Sequence, residues 1–288
     1  MSSASRASLV TVLVALVLGA GLAAAGSVDG PSVGGVPVFA LAVVLAFAVQ
    51  FAAFIPAAAL RTERFFDLTG SLTFIGVTLV VLLLTGIGAR AVVIAAMVVV
   101  WAARLGAFLF ARVRRDGSDG RFDEIRTSPL RFLRVWTMQG LWVSVTASAA
   151  WIGIGAGGDG VDGWLVAGVA VWLVGFAAEA TADAQKAAFR RDPANAGRFI
   201  RSGLWSVSRH PNYLGEILVW FGVALAALPV AVGWQWIGLL SPVFVFLLLT
   251  RVSGIPLLEK RAEARWGDDP EYADYRRRTP VLVPGFSR

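Results

Sequence analysis

Eight long apolar runs, each interrupted only by short polar stretches, constrain this 288-residue chain more than any other feature. They cover about residues 9–25, 36–60, 71–86, 91–111, 135–155, 164–182, 213–229 and 234–250, and a polar tail runs from Arg251 to Arg288. A helix crosses a bilayer with about 20 apolar residues, and most of these runs approach that length. In hydrocarbon only helices and closed barrels satisfy their own backbone polar groups. The runs lack the alternation of a barrel strand, so they are expected to be helices. Charged residues make up only 16% of the chain, against about 25% for a soluble domain. The expectation is an all-α, polytopic membrane helix bundle. No internal repeat or low-complexity linker divides it, so 1–288 reads as one domain.

Charge placement orients the bundle. Arg112–Arg134 holds seven arginines, Thr181–Pro211 holds six Lys/Arg, and the tail from Arg251 holds eight. The alternate loops carry Asp29 in one, Arg90 in another, and Asp159 and Asp162 in a third. Lys and Arg concentrate on the cytoplasmic side. About eight transmembrane helices with both termini cytoplasmic put every basic segment on that side. The first run follows Arg6 and ends in small residues, as a cleaved signal peptide would. Its loss leaves seven spans with the same polarity; retention is the expectation. A bacterial-type inner membrane is the expected location. The net charge of +7 invites a nucleic-acid reading, but the arginines sit where orientation demands them, so no nucleic-acid partner is expected. With no cysteine and one histidine, neither a disulfide, a thiolate metal site nor a histidine-rich metal cluster is expected.

The chemistry concentrates in Ser208-Arg209-His210-Pro211-Asn212-Tyr213-Leu214-Gly215-Glu216. Proline suits the first turn of a helix, so Pro211 is expected to open the seventh span. A helix start attracts anions, and Arg209 adds a positive charge beside it. Asn212 and Glu216 are four apart and share a face, offering an amide and a carboxylate to a group that both donates and accepts. The plainer account makes Arg209 and His210 interfacial anchors and Glu216 a pairing partner. An acid one turn inside a membrane helix favours function.

Three further constellations surround it. Glu179, Asp183, Lys186 and Arg190 fall on one face at the end of the sixth span, either as a salt-bridge ladder or as the polar wall of a cofactor cavity. In the second reading Arg190 reaches a phosphate and Asp183 a sugar hydroxyl, and Arg198 and Arg201 add charge nearby. The tail carries Glu259, Glu263, Tyr272, Tyr275 and Arg276–Arg278, which suit either a nucleotide cap or anionic headgroups. The third sits at and beyond the fourth span, with Arg104, Arg112, Arg114, Arg115, Asp116, Asp119, Arg121 and Asp123. Most of these read as topology charges, but Arg104 lies deep enough to line a cavity or pair. The glycines at 153, 155, 157 and 158 fall at an extracytoplasmic turn and are not a phosphate cradle.

Glu179-Ala-Thr-Ala-Asp183-Ala-Gln185-Lys186, Gly203-Leu-Trp205, Ser208 to Glu216 and Ser253-Gly-Ile-Pro-Leu-Leu-Glu259 together resemble DUF1295, a bacterial family related to the steroid 5α-reductase-like membrane enzymes. Phe66-Asp-Leu-Thr-Gly-Ser-Leu-Thr73 and Trp101-Ala-Ala-Arg-Leu-Gly106 resemble its amino-terminal half. The likeness covers roughly Phe65 to Pro284. It implies NADPH as cofactor, held on the cytoplasmic side, and reduction of an activated carbon–carbon double bond. By position it assigns cofactor contacts to Asp183, Arg190, Arg198, Asn212, Glu216 and Tyr275, with a further match at Arg112 and Arg115. Arg209, His210 and Tyr213 join them through the shared nine-residue stretch. Residues 1–111 then form the substrate side and 112–288 the cofactor-binding half.

The chain departs from the steroid reductases at substrate activation. Their tyrosine position falls on Trp101, whose indole is no phenolic acid, and no glutamate precedes Arg61. Gln50 is the one polar side chain deep in the second span. The catalytic group is therefore unassigned, with Gln50, Trp101 and Arg104 as candidates. The expected protein is a monomeric ene-reductase taking a lipophilic substrate from the bilayer among membrane lipids. Its first rival is an S-adenosylmethionine-dependent methyltransferase of the isoprenylcysteine carboxyl type. Those enzymes also carry an Arg-His-Pro-x-Tyr-x-Gly stretch and a Tyr-x-x-Tyr tail, matched here by Arg209–Gly215 and Tyr272–Tyr275. A non-catalytic lipid-binding protein is the second.

Overall fold

The computed structural model describes residues 3–116, 122–157 and 160–285; Asp119, Arg121, Gly158 and Asp159 lie outside them. Among the described residues the regular structure is helical apart from a hairpin of two two-residue strands, pairing Ser32 with Pro37 and Val33 with Val36. Among these residues, seven helices are long and apolar enough to cross a membrane. Val17, Ile55 and Leu83 leave 70%, 68% and 73% of their surfaces uncovered. Apolar exposure on that scale suits lipid and not water. The chain is an all-α, polytopic integral membrane protein.

The chain divides into two compact units, one of residues 1–166 and 223–241, the other of 167–222 and 242–288. The first contains α1 (Ser3–Ser27), α2 (Val38–Leu60), α3 (Phe66–Thr85), α4 (Ala89–Asp116) and α5 (Pro129–Gly155). The α1 segment is a packed member of this unit. A Cβ at Gly19 or Gly26 would strike the rings of Phe47 or Phe39, so these glycines let α2 aromatics lie against the α1 backbone. Gly140 of α5 receives the other side of Phe47 in the same way.

The helix α5 is the expected span that falls outside those seven, and the reason is its setting. At 27 residues it is about 40 Å long, enough to cross. It buries Thr137, Ser144 and Ser148 along with Trp136 and Trp151, so its neighbours are other helices and its apolarity is lower. Its hydroxyls are satisfied locally: Thr137 donates to Leu133 O at 2.9 Å and Ser144 to Gly140 O at 2.8 Å. Trp151 Nε1 donates to Thr78 Oγ1 at 3.1 Å. Near the start of α4, Arg90 is only 3% exposed and ties three segments together. It donates to Ala226 O at 2.6 Å, to Gly160 O at 3.2 Å and to Asp162 Oδ2 at 2.7 Å.

The second unit contains most of α6 (Gly163–Arg191) and α7 (Pro211–Ala227). It also holds all but the start of α8 (Leu240–Leu247), a π-helical turn over Leu248–Val252, α9 (Ile255–Trp266) and α10 (Pro270–Arg278). The last apolar run is thus not one regular helix. It starts as a 3₁₀ stretch over Gly233–Leu239, entered through Gly233 at φ +50°, and Gly238 lies closer to the Ile152 side chain than a Cβ would allow. By contrast α6 stays helical nine residues beyond its apolar run, through Arg191, where Arg190 and Arg191 complement the negative end of the helix dipole.

Two pairs of glycines set the α6–α7 spacing. A Cβ on Gly215 would lie 2.6 Å from Gly175 O and from Glu179 N, and one on Gly222 would lie 2.6 Å from Gly168 O. Residues 168 and 175, like 215 and 222, are seven apart, so the seam repeats along both helices. Small residues at such a seam let membrane helices approach backbone to backbone.

Candidate functional site

The glycine seam places the acidic face of α6 against the first turns of α7. Pro211 opens α7, where its missing N–H leaves nothing unsatisfied. Asn212 Nδ2 donates to Asp183 Oδ1 at 3.3 Å, and Asp183 is 7% exposed. With its NH₂ turned to Asp183, the amide presents its oxygen the other way, and Asn212 Oδ1 is buried without a hydrogen-bond partner. Glu216 follows one turn on, after Gly215, which packs against the backbone of Glu179, itself 2% exposed. Glu179, Asp183, Lys186 and Arg190 share a face of the unbroken α6, buried at its acidic end and exposed at Arg190.

Before α7 the chain is braced from α9. Glu259 accepts from Arg209 Nη1 at 2.5 Å with one oxygen and from His210 Nε2 at 2.8 Å with the other. Since Nε2 carries the proton toward the carboxylate, Nδ1 of neutral His210 is an acceptor, buried and without a partner. Burial holds the imidazole below its ordinary value of 6.5, although the bond to Glu259 opposes the shift. Tyr213 stacks on His210 with centroids 5.7 Å apart. Arg209 N–H donates to Pro280 O at 2.9 Å and Ser208 Oγ to Leu282 O at 2.7 Å, lacing the tail to this stretch.

The connection from α6 is equally built. Trp205 Nε1 donates to Ala182 O at 3.1 Å, Leu204 N–H to Gln185 Oε1 at 2.9 Å, and Lys186 Nζ stands 4.3 Å over the Trp205 ring. Tyr275 packs against Phe199 and donates its hydroxyl to Trp205 O at 2.6 Å. Burial raises its pKa, so it stays a phenol. Phe199 also meets Trp266 and Tyr272 edge to face. Arg198 is exposed, its backbone N–H turned to Asn195 O at 3.0 Å. Arg201 is exposed too and pairs with Glu271 at 3.0 Å.

Asp183, Arg190, Arg198, Arg209, His210, Asn212, Tyr213, Glu216 and Tyr275 therefore all fall in the second unit. Arg112, Arg115, Gln50, Trp101 and Arg104 fall in the first. There Arg112 pairs with Asp67 at 3.6 Å and Arg115 is exposed. Gln50 is fully buried and donates to Thr73 Oγ1 at 2.8 Å. Trp101 is buried edge-on to Phe74 with centroids 5.2 Å apart, and Arg104 is half-buried. Sequence reasoning placed Glu259 only as one acid of the tail, and did not foresee its grip on Arg209 and His210. It also missed the glycine seam, which the two seven-residue glycine spacings could have revealed.

A family described as "Protein of unknown function (DUF1295)" matches residues 53–279. The chain belongs to this family. It is similar to a steroid 5-alpha-reductase, DET2, of Gossypium hirsutum, 28% identical over 119 residues, 41% of each chain. It is also similar to a probable O-methyltransferase, ustE, of Ustilaginoidea virens, 33% identical over 73 residues. That stretch is 25% of this chain and 26% of the relative. The chain thus spans about two fifths and about a quarter of these relatives' lengths. No solved structure matches it.

Proposed function

We propose that the protein is an NADPH-dependent membrane reductase of an activated carbon–carbon double bond in a lipophilic substrate, working from the cytoplasmic face. The observation that carries this reading is Asn212, a half-buried amide whose nitrogen donates to Asp183 and whose buried oxygen has no hydrogen-bond partner. A carboxamide NH₂ is such a partner, so the nicotinamide end of NADPH fits here. Glu216, one turn further on the same face, offers a second acceptor. Arg190 and Arg198, exposed and cationic, suit the phosphates. Glu259 holds Arg209 and His210, and Trp205 holds Tyr275, so these residues keep the stretch preorganised. NADPH, when bound, supplies the hydride that reduces the β-carbon of an enone-like group. Gln50 and Trp101 carry no acidic proton, so neither delivers the proton. Proton delivery falls to water or to a group near Arg104. The likeness to a steroid 5-alpha-reductase supports this assignment.

The likeness to a probable O-methyltransferase supports a second reading, methyl transfer from S-adenosylmethionine. Thermal unfolding in detergent separates the two. A ligand at 100 to 1,000 times its Kd stabilises by roughly 3–4 kcal/mol. NADPH is expected to raise the melting temperature of the wild type and not of Glu216→Ala. Stabilisation by S-adenosylmethionine instead, with no response to NADPH, refutes the reductase.

A further inference from the structure

The helix α9 has two unlike faces. Ile255, Leu258, Glu259 and Ala262 are buried or half-buried, and from that side Glu259 holds Arg209 and His210. Leu257, Lys260, Arg261, Ala264 and Arg265 are all exposed. Their spacings of three, one, three and one keep them on one arc of the helix. The arc holds three cations and no acid. Glu263, at its edge, is taken by Arg276. Lys260 and Arg261 form no ion pair among the described residues. Arg265 lies over the Trp266 ring at 5.0 Å, a contact that leaves its charge uncancelled.

This face starts where the last apolar run ends. Val252, three residues before Ile255 opens α9, leaves 63% of its surface uncovered, and Leu257 leaves 49%. Gly254 joins the two segments without slack, since a Cβ there would stand 2.5 Å from Leu249 O. Lys260 and Arg261 follow Ile255 by five and six residues, at most about 9 Å of helix. Headgroups fill roughly 5–7 Å beyond the hydrocarbon edge. Their charge acts over a further Debye length, about 8–10 Å at ordinary salt. Both cations are therefore within reach of a lipid surface at any tilt of α9. An apolar residue at the near end with cations beyond it is the pattern of a helix at a membrane interface. An acidic soluble protein would match the cations but has no use for Val252 and Leu257 at the bilayer edge.

We propose that the outward face of α9 docks on anionic phospholipid headgroups, with Lys260, Arg261 and Arg265 as the cations and Leu257 set into the apolar edge. Glu259 grips Arg209 and His210 from the opposite face of the same helix, so the lipid surface and this clamp hold α9 from its two sides. The contact does not depend on which cofactor the α7 stretch takes.

The test is hydrogen exchange of the α9 amides, read by mass spectrometry on the whole protein in lipid nanodiscs. Discs of phosphatidylcholine are compared with discs of an equal mixture of phosphatidylcholine and phosphatidylglycerol. A surface that binds only the formed helix suppresses its local opening. One basic residue near such a surface is worth about fivefold in that equilibrium. Phosphatidylglycerol is therefore expected to slow exchange across α9 of wild type by at least about fivefold, and high salt to remove the effect. The triple variant Lys260→Gln, Arg261→Gln, Arg265→Gln keeps residues that favour a helix and is expected to exchange alike in both discs. The control Arg277→Gln, Arg278→Gln removes charges that Asp274 already holds and is expected to respond as wild type does. Equal exchange of wild-type α9 in the two discs overturns the proposal without any variant and leaves the face to an acidic soluble partner. A triple variant that keeps the slowing, or a control that loses it, also overturns it, because the lipid then reads total charge and not this arc. So does equal slowing by inorganic phosphate in phosphatidylcholine discs at matched ionic strength, since the face then takes a free anion and not a lipid surface.

Discussion

Substituting Gly215 by alanine tests whether the glycine seam sets the geometry of the candidate site. The new methyl carbon would stand 2.6 Å from two backbone atoms of α6, Gly175 O and Glu179 N. Neither can rotate away as a side-chain end would. Ordinary contact begins at roughly 3.4–3.5 Å, so α7 must retreat from α6 by about 0.8 Å near Gly215. Asn212 lies less than one turn away, and its bond to Asp183 is already 3.3 Å long. The same retreat carries that bond to about 4 Å, beyond hydrogen-bonding range. Overpacking of this kind costs about 1–3 kcal/mol, and the lost hydrogen bond about 1 kcal/mol more. Gly215→Ala is expected to lower the melting temperature and to weaken NADPH binding by about fivefold or more, the equivalent of that one bond. Gly76→Ala is the control, because nothing lies within 4 Å of its added carbon and alanine favours a helix. Thermal unfolding with and without NADPH reads both quantities. If Gly215→Ala melts and binds like wild type, the seam does not fix the α6–α7 spacing and the reasoning fails.

Three further outcomes are expected. His210 is held neutral in the fold below its ordinary pKa of 6.5, so below about pH 6.5 the unfolded chain takes up a proton that the native chain refuses. Its contribution is full above that pH and falls as pH drops below it; His210→Gln should flatten that limb of a melting-temperature profile. Arg90→Ala removes the donor of a buried carbonyl and should cost about 1–3 kcal/mol in thermal unfolding, with Arg90→Lys restoring only part. Tyr275→Phe keeps the ring against Phe199 and loses the bond to Trp205 O, so about 1 kcal/mol of stability should go. A Tyr275→Phe protein as stable as wild type would show that the hydroxyl is no strut.

The helices were legible because apolar length reports directly on lipid. Their limits were less so. The helix α3 begins at Phe66 and not near residue 71, since Asp67 is favourable in a first turn, where it meets the positive end of the dipole. The last run reads as a uniform helix, yet its start is a 3₁₀ segment over Gly233–Leu239, entered through Gly233 at positive φ. In the candidate site, Asp183, Asn212 and Glu216 were visible through helical spacing, which is local. Glu259 was not visible in its role, because it reaches Arg209 across 50 positions and no periodicity encodes that pairing.

The hydrogen bond from Ser208 to Leu282 joins residues 74 positions apart. During synthesis, every helix through α7 can be threaded into the membrane before Leu282 exists. Until the later segment arrives, Arg209 N–H has no Pro280 carbonyl to meet and Ser208 no Leu282. The nine-residue stretch is therefore completed only after Pro280 and Leu282 have been made. Insertion and completion of this stretch are separate events, and a product cut short before Pro280 would span the membrane with Arg209 N–H and Ser208 Oγ still lacking these partners.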